Sequence, residues 1–248
     1  MVRFIGLAYR VPLLRVIGAD GMGYYSIAYN VYAIILLLSS YSLPLAVSKM
    51  VSVRILKNEY KNANKILKAA LIYATIVGGL GSIVAFFGAD FFASILYRMP
   101  LAKYALQSLA PTIWIMAYLG VLRGYFQGHS TMVPTALSQI FEQIVNAAVS
   151  VGAAYYLCEM AVRHAKPKAV QLAYGAAGGT VGTGAGTVIA LVVVLIFFFL
   201  SAKDRRKKIK DDKSVRKESF STITRILILT VIPVIASTAI YNINSVLD

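Results

Sequence analysis

Residues Thr187 to Leu200 read Thr-Val-Ile-Ala-Leu-Val-Val-Val-Leu-Ile-Phe-Phe-Phe-Leu, and the next ten read Ser201-Ala-Lys-Asp-Arg-Arg-Lys-Lys-Ile-Lys. The first run has no charge and no polar face, so it fits neither an amphipathic surface helix nor a half-buried strand. Extended back to Val170, it is long enough to cross a hydrocarbon core of about 30 Å as a helix. The basic block that follows returns the chain to water. This junction decides the fold class: an all-α integral membrane protein.

The rest of the chain repeats the pattern. Of 248 residues, 58% are hydrophobic and only 14% are charged, and the mean hydropathy is +0.70. A water-soluble chain of that composition would expose large apolar patches and aggregate. Seven spans are expected: Val2–Ile17, Tyr24–Val47, Ile66–Ala89, Leu109–Phe126, Val133–Leu157, Val170–Leu200 and Ile223–Tyr241. The domain organisation expected is a transmembrane lobe over 1–200, a basic loop over 201–222 and one further helix over 223–248.

The net charge of +15 does not point to nucleic acid, because its cations sit in short gaps between apolar blocks without interleaved aromatics. Cys158 is alone, and His129 and His164 are the only histidines, so neither a disulfide framework nor a metal cluster can be assembled. No acid-and-nucleophile pair accompanies either histidine, and neither an enzyme nor a cofactor is expected. The glycine run Gly175–Gly186 lacks the strand and acidic partner of a dinucleotide site. Its Gly178, Gly182 and Gly186 instead repeat at the spacing of close helix packing, as do Gly120, Gly124 and Gly128.

Basic residues set the expected orientation. Lys49, Arg54, Lys57, Lys61, Lys65 and Lys68 follow the second span, Arg123 edges the gap after the fourth, and Lys203–Lys217 follows the sixth. The alternate gaps carry only Arg98, Lys103, Arg163, Lys166 and Lys168. A cytoplasmic N-terminus in a bacterial cell membrane is expected. The Lys203–Lys217 run reads either as a solvated loop that fixes topology or as a surface for anionic headgroups.

Polar residues inside apolar blocks are where function is sought. Gln139, Glu142, Gln143, Asn146 and Ser150 fall on one face of the fifth helix. A mid-membrane carboxylate costs at least about 2.5 kcal/mol, so the stripe must face protein or water. It serves either as interhelical glue or as the wall of a hydrophilic cavity. Arg10 and Arg15 add permanent cations to the first span, where Pro12 interrupts the hydrogen-bond ladder. Arg15, nearer the end, can equally snorkel to an interface. Together with Glu142 these residues form a candidate cavity for an anionic ligand.

Five stretches carry a family resemblance: Arg10-Val-Pro-Leu-Leu-Arg15-Val-Ile-Gly18, Gly21-Met-Gly-Tyr-Tyr-Ser-Ile-Ala-Tyr29, Leu43-Pro-Leu-Ala-Val-Ser-Lys49, Arg123-Gly-Tyr-Phe-Gln-Gly128 and Met132-Val-Pro-Thr-Ala-Leu-Ser-Gln-Ile-Phe-Glu142-Gln. They resemble the multidrug/oligosaccharidyl-lipid/polysaccharide (MOP) exporter superfamily, in its polysaccharide biosynthesis and stage V sporulation protein B-like branch, similar to the lipid II flippases. The resemblance implies the first lobe of a MATE-like fold and alternating-access transport of a polyprenyl-diphosphate-linked oligosaccharide. It implies substrate-binding roles for Arg10 and Arg15, with Gln139, Glu142, Gln143 and Asn146 as further cavity residues. Arg123, Gly124, Gln127 and Gly128, with Pro44, are carried over as gating or structural elements.

Members of that superfamily usually have about fourteen helices, so a truncated chain is expected, its second lobe supplied by the longer protein or by a partner. The other expected partners are the lipid-linked glycan and membrane lipids. Two alternatives remain at this stage: a cation or drug antiporter of the same superfamily, and a non-transporting scaffold for cell-wall synthesis.

Overall fold

The computed structural model describes residues 9–212, 214 and 218–247; for 234 and 237–247 only the backbone is considered. The described chain is helical throughout, without strands among these residues. Its elements are α1 (Arg10–Leu36), α2 (Leu43–Leu56), α3 (Tyr60–Tyr73), α4 (Gly79–Phe87), α5 (Lys103–Gly128), α6 (Val133–Arg163), α7 (Lys168–Leu200), α8 (Ala202–Asp211) and α9 (Phe220–Leu247). Five helical stretches are long and apolar enough to cross a bilayer: Arg10–Leu56, Tyr60–Phe87, Pro100–Gly128, Val133–Arg163 and Lys168–Leu200. The chain is thus a multi-pass membrane protein.

Five of the seven expected spans map onto these one to one, with shifts at their ends. Ile66–Ala89 begins in α3, six residues inside a helix that starts at Tyr60, because Lys61, Lys65 and Lys68 are good helix formers despite their charge. Leu109–Phe126 likewise begins late, inside a stretch that opens at Pro100. Val2–Ile17 lies outside the described residues as far as Ala8, and from Arg10 it runs into the Arg10–Leu56 stretch. Ile223–Tyr241 falls within α9. The basic segment after Leu200 is a helix over its first half, Ala202–Asp211, rather than a loop.

Gly18 is where α1 folds back, at φ +65° and ψ −177°, a region open essentially to glycine alone. Sixteen residues of straight helix would put Tyr9 and Tyr25 about 24 Å apart. Their hydroxyls instead meet at 2.9 Å, so Arg10–Ile17 packs back along the arm that follows. The helix therefore bends at Gly18, whereas Pro12, expected to interrupt the hydrogen-bond ladder, sits in the first described turn, where a missing N–H is tolerated. Widened π turns at Leu37–Tyr41 and Ala74–Gly78 join α1 to α2 and α3 to α4.

Glycines set the close approaches. A Cβ on Gly182 would overlap Ser150, and one on Gly178 would overlap the Ala153 backbone, so α6 and α7 touch nearly backbone to backbone. A Cβ on Gly124 would sit 2.5 Å from the Pro44 carbonyl oxygen and one on Gly128 2.7 Å from Val51, which brings α5 onto α2. Two buried clusters fill the remaining space. One holds Val47, Ile66, Leu119 and Leu227 toward the basic end; the other holds Leu13, Ile17, Leu109 and Ile113 beneath the Gly18 bend.

At the basic end the segment between α8 and α9 is tied to α2 and α3. Arg54 Nη2 donates to Glu218 Oε1 at 2.6 Å, and the Lys61 amide donates to Asp212 Oδ2 at 2.7 Å. Lys65 Nζ donates to the Glu218 carbonyl, also at 2.7 Å. Cations expected to be free topology markers are thus partly consumed in holding α9 to the lobe.

Candidate functional site: a cleft between α1, α5, α6 and α7

The fold-back at Gly18 brings Tyr9 and Arg10 over the middle of the bundle. There they share a cavity of about 460 Å³ with Tyr29, Tyr32 and Leu36 of α1. Its other walls are Met116 of α5, Glu142, Gln143 and Asn146 of α6, and Thr183 of α7. Leu36 and Met116 also line a second cavity of about 370 Å³ nearer the basic end, with Ser40, Tyr41, Pro44, Arg123 and Gln127. The two cavities adjoin through these shared residues, beside the Leu37–Tyr41 π turn.

Arg123 and Glu142 join the two halves. Arg123 Nη2 donates to Glu142 Oε2 at 2.7 Å and its Nε donates to Ser138 Oγ at 3.0 Å. The side chains are only 11% and 14% exposed, so the pair is held away from bulk water. A lone carboxylate there would be costly; the bidentate reach of arginine onto a carboxylate and a hydroxyl removes most of that penalty. Arg10, by contrast, has no acidic partner among the described residues. The cavity's one carboxylate is neutralised internally and its cation is not, so the cavity is net positive.

The remaining wall is uncharged and polar. Ser150 Oγ donates to the Gly179 carbonyl at 2.7 Å and lies 2.9 Å from Asn146 Oδ1, fixing the amide from behind. Tyr29 and Thr183 hydroxyls bond to each other across α1 and α7. The rings of Tyr25 and Tyr29 pack at 4.6 Å, and Tyr29 and Tyr32 at 5.9 Å. The buried Tyr32 hydroxyl has no hydrogen-bond partner among the described residues. A buried hydroxyl left unsatisfied forfeits about 1–3 kcal/mol, which a bound ligand would restore.

Comparison with known proteins bears on this geometry. Residues 1–245 match the family described as polysaccharide biosynthesis protein. The chain belongs to that family. The chain is 30% identical over 151 residues to the lipid II flippase MurJ of Bacillus subtilis (strain 168), covering 58% of this chain and 28% of that one. It is 31% identical over 145 residues to the stage V sporulation protein B of the same organism, again covering 58% of this chain and 28% of the relative. A longer match, 28% identical over 208 residues, covers 83% of this chain and 36% of the uncharacterized membrane protein YabM. The chain therefore spans about a third of the length of these relatives. No solved structure matches.

The expected site residues divide into four groups. Arg10, Glu142, Gln143 and Asn146 converge on the larger cavity, and Arg123, Gln127 and Pro44 on the smaller one. Gly124 and Gly128 are packing points of α5 on α2 and line neither. Arg15 and Gln139 are exposed and line neither cavity. The tyrosines Tyr9, Tyr29 and Tyr32 and Thr183 were missed; a Tyr29/Tyr32 pair at i, i+3 beside a polar helix was the available signal. The Arg123–Glu142 pair was also legible in principle. A helical hairpin turning at 129–132 sets Arg123 opposite Ser138 and within one turn of Glu142.

Proposed function

We propose that this chain forms part of a flippase for polyprenyl-diphosphate-linked glycans in the bacterial cell membrane, with its basic end in the cytoplasm. The carrying observation is the charge of the cavity. Glu142 is occupied by Arg123 at 2.7 Å, whereas Arg10 faces the same space without an acidic partner among the described residues. A diphosphate is the ligand class that such a site favours, because arginine offers a planar fork to phosphate oxygens at every accessible pH. Asn146, Gln143, Thr183 and the Tyr32 hydroxyl supply the neutral donors and acceptors that sugar hydroxyls need.

The mechanism follows from where the charge sits. A diphosphate lipid would leave the headgroup layer only if the cavity replaced its hydration, and Arg10 with the surrounding dipoles does this near mid-membrane. Arg123, one cavity closer to the basic end, exchanges its Glu142 partner for substrate phosphate as the cleft rearranges, and the Pro44–Gly124 contact is a pivot for that movement. The remaining cavity wall would come from a second lobe, consistent with relatives about twice as long as this chain. A drug or cation antiporter needs a carboxylate available to its cargo, and Glu142 is already engaged. The relative MurJ, a lipid II flippase, supports this reading.

The test is a lipid-flipping assay in vesicles on the intact protein. Arg10→Ala should lower the rate about ten- to a hundredfold, the loss of one charge-assisted hydrogen-bonding group, and Arg10→Lys should recover part of it. Full activity in Arg10→Ala would defeat the proposal, and wild-type protein that flips no faster than protein-free vesicles would favour a scaffold.

A further inference from the structure

A third cavity lies at the basic end, outside the cleft. It measures about 370 Å³ and is enclosed by α8 where that helix crosses the α5–α6 turn toward Tyr60 of α3. Its walls have two characters. Phe197, Leu200, Val133 and Pro134 make an apolar side, and of these Leu200 and Val133 are exposed at the rim, 74% and 56% respectively. Arg205 and Lys208 make a cationic side. The boundary between them falls at the end of the α7 span, the depth at which hydrocarbon gives way to headgroups.

Both cations are positioned and uncommitted. The Arg205 guanidinium stacks 3.7 Å above the Phe198 ring and donates once, to the Phe198 carbonyl at 3.1 Å, leaving its other N–H groups available. Lys208 Nζ lies 5.6 Å over the Tyr60 ring. Asp204 shares the cavity, yet among the described residues neither cation forms an ion pair with it or with any other carboxylate. The other cations of α8, Lys203, Arg206, Lys207 and Lys210, recur at i, i+3, i+4 and i+7, are all exposed and do not line this cavity. Thus α8 carries one diffuse basic face toward solvent and, beside it, a half-buried Arg205 and an exposed Lys208 that line a half-apolar cavity.

We propose that this cavity binds a phosphate-headed lipid of the leaflet at the basic end, with the phosphate on Arg205 and Lys208 and the first methylenes against Phe197, Leu200 and Val133. The occupant assigned is an anionic phospholipid, which would fasten α8 and the start of the α9 segment to the lobe. His129 reports on the same space: its Nδ1 donates to the Tyr125 carbonyl at 2.9 Å, and burial, with Lys208 and Arg205 nearby, holds the ring below its ordinary pKa. The inference depends on the membrane-spanning fold alone and stands or falls separately from the transport reading.

The test is lipid retention by native mass spectrometry of the whole protein, reconstituted in nanodiscs of phosphatidylcholine with phosphatidylglycerol. The expected result is selective retention of phosphatidylglycerol, falling about thirty-fold in Arg205→Gln/Lys208→Gln, roughly 1 kcal/mol for each cation near the headgroup layer. Val133→Trp, which keeps every charge and fills the apolar side, should also lose the lipid. Lys203→Gln/Lys210→Gln removes equal charge from the outer face and should retain it. Equal loss in the outer-face variant would reduce the effect to diffuse attraction and overturn the site. So would equal retention of both lipids, or displacement by millimolar inorganic phosphate. Displacement by equimolar undecaprenyl phosphate would overturn the phospholipid assignment.

Discussion

Arg123→Met is expected to destabilise the lobe more than any other substitution on α5, and Glu142→Leu placed on top of it should restore most of the loss. The ion pair is closed at 2.7 Å with both side chains under 15% exposed. Two unit charges about 4 Å apart interact by about 4 kcal/mol at an effective dielectric of about 20. Removing one partner of a buried pair leaves the other uncompensated and typically costs about 3–5 kcal/mol, whereas replacing both by apolar groups is often neutral. The second hydrogen bond, from Arg123 Nε to Ser138 Oγ, is lost in either case and adds about 1 kcal/mol to both variants. A double-mutant cycle on unfolding free energy in bicelles should therefore return a coupling of about 3 kcal/mol. Additive single effects, with coupling below about 0.5 kcal/mol, would refute the claim that the pair exists to keep Glu142 neutralised.

Three further outcomes follow from the geometry. Gly182→Ala, whose Cβ would overlap Ser150, should destabilise the α6–α7 contact by about 1–3 kcal/mol; Gly152→Ala, with open space around its Cβ, should not. Gly18→Ala meets no atom within 4 Å, yet should still cost about 1–3 kcal/mol through backbone strain, seen as loss of the Tyr9–Tyr25 proximity in crosslinking. His129 is held below its ordinary 6.5 by burial first, with Lys208 and Arg205 opposing the Tyr125 hydrogen bond. The unfolded state then binds more protons just below 6.5, so stability should fall as pH drops through that window and be fully present above it. His129→Gln should flatten this slope in thermal unfolding, and an unchanged slope would assign it elsewhere.

How far the sequence anticipates the structure depends on which physical signal a residue carries. The spans were legible because apolarity over about twenty residues has one main structural outcome. Their ends were not, because Lys61, Lys65 and Lys68 are compatible with helix as well as with water, and the helix simply continues through them. Gly178, Gly182 and Gly186 were readable as packing points from spacing alone, and each does meet the α6 backbone or side chains. The fold-back at Gly18 was not legible, since nothing in sequence announces a glycine at positive φ. Part of the site was visible in the polar stripe on α6, but helical periodicity names a face without saying what it meets. Glu142 turned out to face Arg123, while Gln139, one turn earlier on the stripe, is exposed.

The charge of the large cavity is the centre of the account, and binding of undecaprenyl diphosphate to the folded protein in nanodiscs measures it directly. With Arg10 the free cation and Glu142 occupied by Arg123, Arg10→Gln should weaken binding about ten- to a hundredfold, while Glu142→Gln, by releasing Arg123, should leave binding unchanged or tighter. Loss of binding in Glu142→Gln with full binding in Arg10→Gln would mean that the carboxylate, not the arginine, holds the ligand, and the account would be wrong.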